Sequence, residues 1–182
     1  GIPFGIYIEM EGILVVELCD LEQNGISVES PAEHILKPGD YITAVNGAQV
    51  TAKEDLQRAV AESGGSVLQL TVVRGGEAFQ CSVTPICTDS KIFQIGVWVR
   101  DDLAGIGTLT YIDGEGTFGA LGHGITDTDV EHLISVLDGT VYQANILSVI
   151  RGEQGKPGEL VGQIHYNQAN RLGQITKNTK NG

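Results

Sequence analysis

The side chains of this 182-residue chain best suited to proton transfer or covalent chemistry are four histidines, three cysteines and a scatter of serines. His123 is distinguished by its setting, Ala120-Leu121-Gly122-His123-Gly124. Imidazole shuttles a proton near neutral pH, and flanking glycines let a substrate backbone come close. On these residues alone the segment fits a general base, and it equally fits a histidine packed at a strand end with one satisfied hydrogen bond. Asp127, four residues on, has the spacing to orient the ring but reads better as structural. His34, His132 and His165 lie in no comparable motif and receive no role. Cys19, Cys81 and Cys87 are an odd set without CxxC spacing, so neither a zinc site nor a paired framework follows. They read as small buried hydrophobes, with a Cys81–Cys87 bridge left open. No His, Cys and carboxylate cluster has ligand spacing, so no metal and no cofactor is expected. Gly105-Ile106-Gly107-Thr108 lacks the lysine and the following helix of a phosphate-cradling loop and reads as a turn within a β-barrel.

The elements that position these groups follow from composition. Hydrophobic residues make up 41% of the chain, aromatics 5%, and there are 25 glycines, a balance that suits short strands and tight turns. A mainly β fold with one or two short helices is expected. The formal net charge of -12 sets up a field that repels phosphate backbones, which argues against nucleic acid as a partner. No apolar run approaches the roughly 20 residues that span a bilayer, and no signal peptide stands in front.

In the first half, Ile13–Val16 and Tyr41–Val45 are apolar runs that read as strands, the second closed by Asn46-Gly47. Thr51-Ala52-Lys53-Glu54 has the form of a capping box and predicts a helix from Thr51 to about residue 62. Leu56, Ala59 and Val60 share one face of it, and Ser63-Gly64-Gly65 stops it. Val67 to Arg74 and Glu77 to Thr84 flank Gly75-Gly76 as a hairpin. Together with Ser30-Pro31-Ala32-Glu33, Leu36-Lys37-Pro38-Gly39-Asp40-Tyr41-Ile42 and Val45-Asn46-Gly47, residues 1–87 resemble PDZ domains of bacterial envelope proteases. The resemblance implies that Pro3-Phe4-Gly5-Ile6 forms a loop offering amides to a peptide carboxylate, with the Leu56 helix as the groove's other wall.

Thr88-Asp89-Ser90-Lys91 reads as a short linker, and residues 88–182 as a second domain. Its strands carry Ile95-Gly96-Val97-Trp98-Val99-Arg100-Asp101, Gly105-Ile106-Gly107-Thr108-Leu109-Thr110-Tyr111 and Phe118-Gly119-Ala120-Leu121-Gly122-His123-Gly124-Ile125. Further on come Gly152-Glu153-Gln154-Gly155-Lys156-Pro157-Gly158-Glu159-Leu160, a loop bordering a cleft or a plain hairpin turn, and Gly173-Gln174-Ile175-Thr176-Lys177-Asn178-Thr179. This series resembles the SpoIVB peptidases, the stage IV sporulation serine proteases, in which a PDZ domain also comes first. The resemblance implies part of a chymotrypsin-like β-barrel peptidase domain and makes His123 the general base.

The resemblance places the acidic member and the serine further along the chain, in His, Asp, Ser order. Ser135 and Ser148 follow His123, but each sits in an apolar run without a glycine-rich elbow and reads as a strand residue. The chain alone is therefore expected to be an inactive, truncated piece of a serine endopeptidase, with unpaired strand edges open to self-association. Protein or peptide substrates, self-cleavage, sporulation signalling to sigma-factor processing through a membrane-embedded complex, and export to the space between two membranes or to the cell envelope are what the resemblance implies. The competing reading is a non-enzymatic peptide-binding PDZ protein on a degenerate peptidase scaffold.

Overall fold

The computed structural model describes residues 1–120, 122–127, 129–130, 133–156 and 158–182. Leu121 of the histidine segment, His132 and Pro157 of the glycine-punctuated loop lie outside the described residues. Along the chain run β1 (Ile2–Leu18), β2 (Leu21–Gln23), β3 (Ile26–Val28), β4 (Tyr41–Val45), β5 (Ala48–Gln49), α1 (Lys53–Glu62), β6 (Leu68–Arg74), β7 (Glu77–Val83), β8 (Ile86–Cys87) and β9 (Phe93–Gln94). Then come β10 (Val97–Leu109), β11 (Tyr111–Ile112), β12 (Phe118–Gly119), β13 (Val136–Tyr142), β14 (Ala144–Ile150), β15 (Glu159–Ile164), a 3-10 turn at Gln168–Asn170 and β16 (Arg171–Gln174). The expected mainly β class holds. Among the described residues no helix is long and apolar enough to cross a membrane.

The strands belong to two compact units that interleave in sequence. One contains Met10–Asp101, and the other contains Gly1–Glu9, Asp102–Asp127 and Leu133–Gly182.

In the Met10–Asp101 unit, β4 lies between β1 and β6, with Ile13 opposite Ile42 and Ile42 opposite Val72. β6 and β7 form the expected hairpin over Gly75-Gly76, which supplies the two positive φ angles of a tight primed turn. Leu68, Leu70 and Val72 alternate into the core, where they join Ile13, Val15 and Ile42. α1 covers that core with Leu56 and Val60, which are 3% and 5% exposed. Its start differs from the sequence expectation. The cap is Ala52, and Asp55 rather than Glu54 reaches back, accepting from the Ala52 amide at 3.2 Å and the Thr51 amide at 3.4 Å. The acid must stand three residues past the cap to close that ring, and Asp55 does so once the helix begins at Lys53.

Asp40 is fully buried at the start of β4. It accepts a two-pronged bond from Arg74, at 2.7 Å on each oxygen, and a third from the Lys37 amide at 2.9 Å. That hydrogen bonding raises the Arg74 guanidinium above its already high ordinary range. The Thr88–Lys91 stretch is an ordered turn between β8 and β9 within this unit rather than a free linker. Asp89 ties it to the β2–β3 turn, accepting from the Asn24 and Gly25 amides.

In the other unit the strand order includes β16-β13-β1, and β14 and β15 form a separate hairpin. Small residues make room for large ones. A Cβ on Gly107 would stand 2.7 Å from Ile6 and 3.0 Å from Phe4. The Gly105–Thr108 stretch is the interior of β10, where packing against β1 demands glycine at position 107, and not the turn expected from sequence. Phe4 meets Phe118 edge to face, and Tyr166 stacks in the same way on Tyr7 and Tyr142.

Candidate functional site

The chain runs from β12 into an irregular segment that presents His123 at the surface. This segment is tied down on either side of His123: Gly122 N–H donates to the Asn181 carbonyl at 3.2 Å, and Gly124 N–H to the Lys180 carbonyl at 3.3 Å. Gly124 is buried so tightly against the Thr179 carbonyl and Leu133 that a Cβ would collide with both. His123 Nδ1 lies 2.9 Å from the Gly124 carbonyl. A carbonyl only accepts, so that contact requires Nδ1 to carry the proton and leaves the Nε2 lone pair for incoming chemistry. Asp127 is fully buried, whereas His123 is exposed.

The serines after His123 are both exposed. Ser148 lies within β14 as expected, while Ser135 precedes β13 in irregular chain. His34 is exposed with a positive φ of 64°, and His165 Nε2 faces the Asn145 amide at 3.1 Å. The three cysteines are free, so no Cys81–Cys87 bridge forms. Burial pushes the Cys19 and Cys81 thiols up. Among the described residues, no group of three His, Cys, Asp or Glu side chains is placed to hold a metal ion.

A second candidate site lies wholly within the Met10–Asp101 unit, where a cleft of about 330 Å³ opens between α1 and the stretch Ile92–Val97. Leu56 lines it. Pro3, Phe4, Gly5 and Ile6 do not form the expected loop. They lie in β1 within the other compact unit, with Phe4 and Ile6 buried, because alternating apolar residues there fit a sheet. The cleft's own loop is Ile95-Gly96, rather than the peptidase strand expected of these residues. Ser30 Oγ donates to the Ile95 and Gly96 carbonyls at 3.2 and 2.8 Å, and the Cys19 amide donates to Gly96 at 2.9 Å. In a trans peptide the N–H points opposite the carbonyl, so the Gly96 and Val97 amides face away from Ser30 and Cys19. Gly96 has φ +70°, and an added Cβ would stand 2.6 Å from the Cys19 carbonyl. The legible signal was the apolar-Gly-apolar pattern of Ile95-Gly96-Val97, the same pattern as Phe4-Gly5-Ile6.

His123 and the helix of the cleft each fall within a stretch that matches a known family. Residues 91–182, just over half of the chain, match the family described as SpoIVB peptidase S55. The chain belongs to that family. Residues 24–74 match the PDZ domain family, so this SpoIVB-family chain joins a PDZ module to a peptidase-family region. A Clostridium perfringens protein named "putative zinc metalloprotease" is 28% identical over 69 residues, 37% of this chain, and the chain spans 21% of its length. PDZ domains of SdrC-like proteins from Listeria monocytogenes and Listeria innocua superpose with TM-scores of 0.40 at 17% and 18% identity. These cover 50% and 48% of this chain and 90% and 92% of those domains.

Proposed function

We propose that the protein is a serine endopeptidase in which His123 is the general base and a PDZ-like module, built on the Met10–Asp101 unit, recruits peptide ends to a peptidase domain. The observation that carries this reading is the His123 contact itself: Nδ1 engaged by the Gly124 carbonyl, Nε2 left as acceptor, in an exposed segment pinned on both sides. Nε2 takes the proton from a serine hydroxyl as oxygen attacks the peptide carbonyl, then returns it to the leaving amine. Ser135 and Ser148 stand in no glycine-rich turn, so the 182 residues alone are proposed to be inactive, the nucleophile and acidic member coming from elsewhere in the protein. In the complete protein, His123→Ala is expected to abolish proteolysis, including self-cleavage, with an unchanged circular dichroism spectrum. Persistent cleavage would sink the assignment.

Peptide capture is proposed at the α1 cleft. An extended peptide tail lies along α1 with its carboxylate at the Gly96 and Val97 amides and its last apolar side chain over Leu56 and Val60. Titrating this chain with a C-terminal peptide library tests it, and Leu56→Asp is expected to remove whatever binding is found. Sporulation signalling to sigma-factor processing, a membrane-embedded processing complex as partner and export to the space between two membranes rest on the family resemblance. The second reading, a non-enzymatic PDZ protein on a degenerate scaffold, is favoured by the settings of Ser135 and Ser148. Retained peptide binding with no proteolysis by the complete protein would select it.

A further inference from the structure

The segment that carries His123 is held by one side chain in particular. Asn178 Oδ1 accepts from the Ile125 amide at 2.8 Å, and its Nδ2 donates to the Ile125 carbonyl at 2.9 Å and the Ile134 carbonyl at 3.1 Å. The amide thus satisfies both backbone groups of Ile125, as a neighbouring strand would, beside the isolated bridge Thr126–Leu133. Ile134 N–H also donates to the Ile125 carbonyl at 3.0 Å. The Ile125 amide shares its peptide plane with the Gly124 carbonyl, which is the acceptor for His123 Nδ1. Fixing that plane fixes the direction in which the carbonyl points. It also fixes which ring nitrogen carries the proton.

We propose that Asn178 is a positioning residue: by clamping the Gly124–Ile125 peptide it holds His123 as the Nδ1–H tautomer with Nε2 free. This rests on the reading of His123 as the base, but it concerns the ring's tautomer and can be measured without catalysis. The work needs an acceptor and two donors on one group. Aspartate keeps the acceptor for Ile125 N–H and turns both donors into repulsion against two carbonyls, while leucine of similar size offers nothing.

The test is nitrogen-15 NMR of the His123 ring, at a pH where it is neutral, in this chain and in its Asn178→Ala and Asn178→Asp variants. The unsubstituted chain is expected to show the Nδ1–H form. The variants are expected to lose it in favour of the Nε2–H form that unconstrained imidazole prefers, with the remaining amide spectrum retained. A folded variant that keeps the Nδ1–H form overturns the proposal and leaves Asn178 with a purely structural role. Should both variants fail to fold, the unsubstituted chain still decides. Slow exchange of the Asn178 side-chain amide protons together with the Nδ1–H form supports the clamp, and free-amide exchange or the Nε2–H form overturns it. In the complete protein, Asn178→Asp is expected to lower kcat with KM kept. If His123→Ala leaves proteolysis intact, the catalytic reading falls while the tautomer result stands.

Discussion

His123 and Asp40 are both acid–base residues, and burial separates what they do. His123 stands in water with one ring nitrogen engaged, the state of a group available for exchange. Asp40 is wholly enclosed with its oxygens shared between Arg74 and Lys37, the state of a group fixed in place. Arg74→Leu strands a buried carboxylate and is expected to destabilise the fold by about 3 kcal/mol in urea unfolding. Asp40→Ala leaves a guanidinium whose side chain is already 36% exposed and can hydrate, so its cost is expected to be smaller. Equal losses would show that the pair's worth does not lie in enclosing Asp40.

Elements take their limits here from single polar groups. Asp55 closes the start of α1, and bonds from the Ala52 and then the Thr51 amide hold its carboxyl below the ordinary range. A carboxyl depressed in the folded state contributes stability that is fully present above the ordinary value of about 3.9 and is lost as pH falls through the lower folded value. Protection of the Ala52 and Thr51 amides from hydrogen exchange is therefore expected to hold at neutral pH and to fail only as pH falls through the depressed folded value, below the ordinary carboxyl range. Asp55→Ala should remove this dependence. At the cleft, Gly96→Ala places a Cβ on a left-handed residue and against the Cys19 carbonyl. A loss of roughly 1–2 kcal/mol is expected from the backbone alone, more with the collision, together with loss of peptide binding. A variant with unchanged melting temperature and peptide affinity would remove this loop from the proposed site.

For the whole molecule, net charge and exposed apolar surface pull in opposite directions. The charge of -12 favours separation, while the β14–β15 hairpin exposes Leu147 at 66% and Val149 at 63%, with Ile150, Leu160 and Val161 beside them. Self-association is expected through this hairpin and should strengthen as salt screens the charge. Sedimentation velocity across concentration and salt measures it, with Leu147→Lys expected to weaken it. A monomer under all conditions would count against association.

How much was legible follows the range of the forces involved. Local pattern was enough for the β6–β7 hairpin, for α1 through Glu62 and for β4, because turn glycines, helical spacing and alternation act within a few residues. The motifs were enough for the PDZ and peptidase-family assignments, since both rest on linear residue order. Local pattern was not enough for Phe4-Gly5-Ile6 against Ile95-Gly96-Val97. Both have the form of a loop before a strand, and only the packing of Phe4 and Ile6 against Gly107, and of Ile92–Val97 beside α1, told them apart. The His123 segment shows the same division. The residue types in the sequence named the candidate base, but its hydrogen-bonded nitrogen and its clamp by Asn178, 53 residues from Ile125, exist only once distant segments meet. Sequence determined which groups were present, and tertiary contact decided which peptide planes would face them.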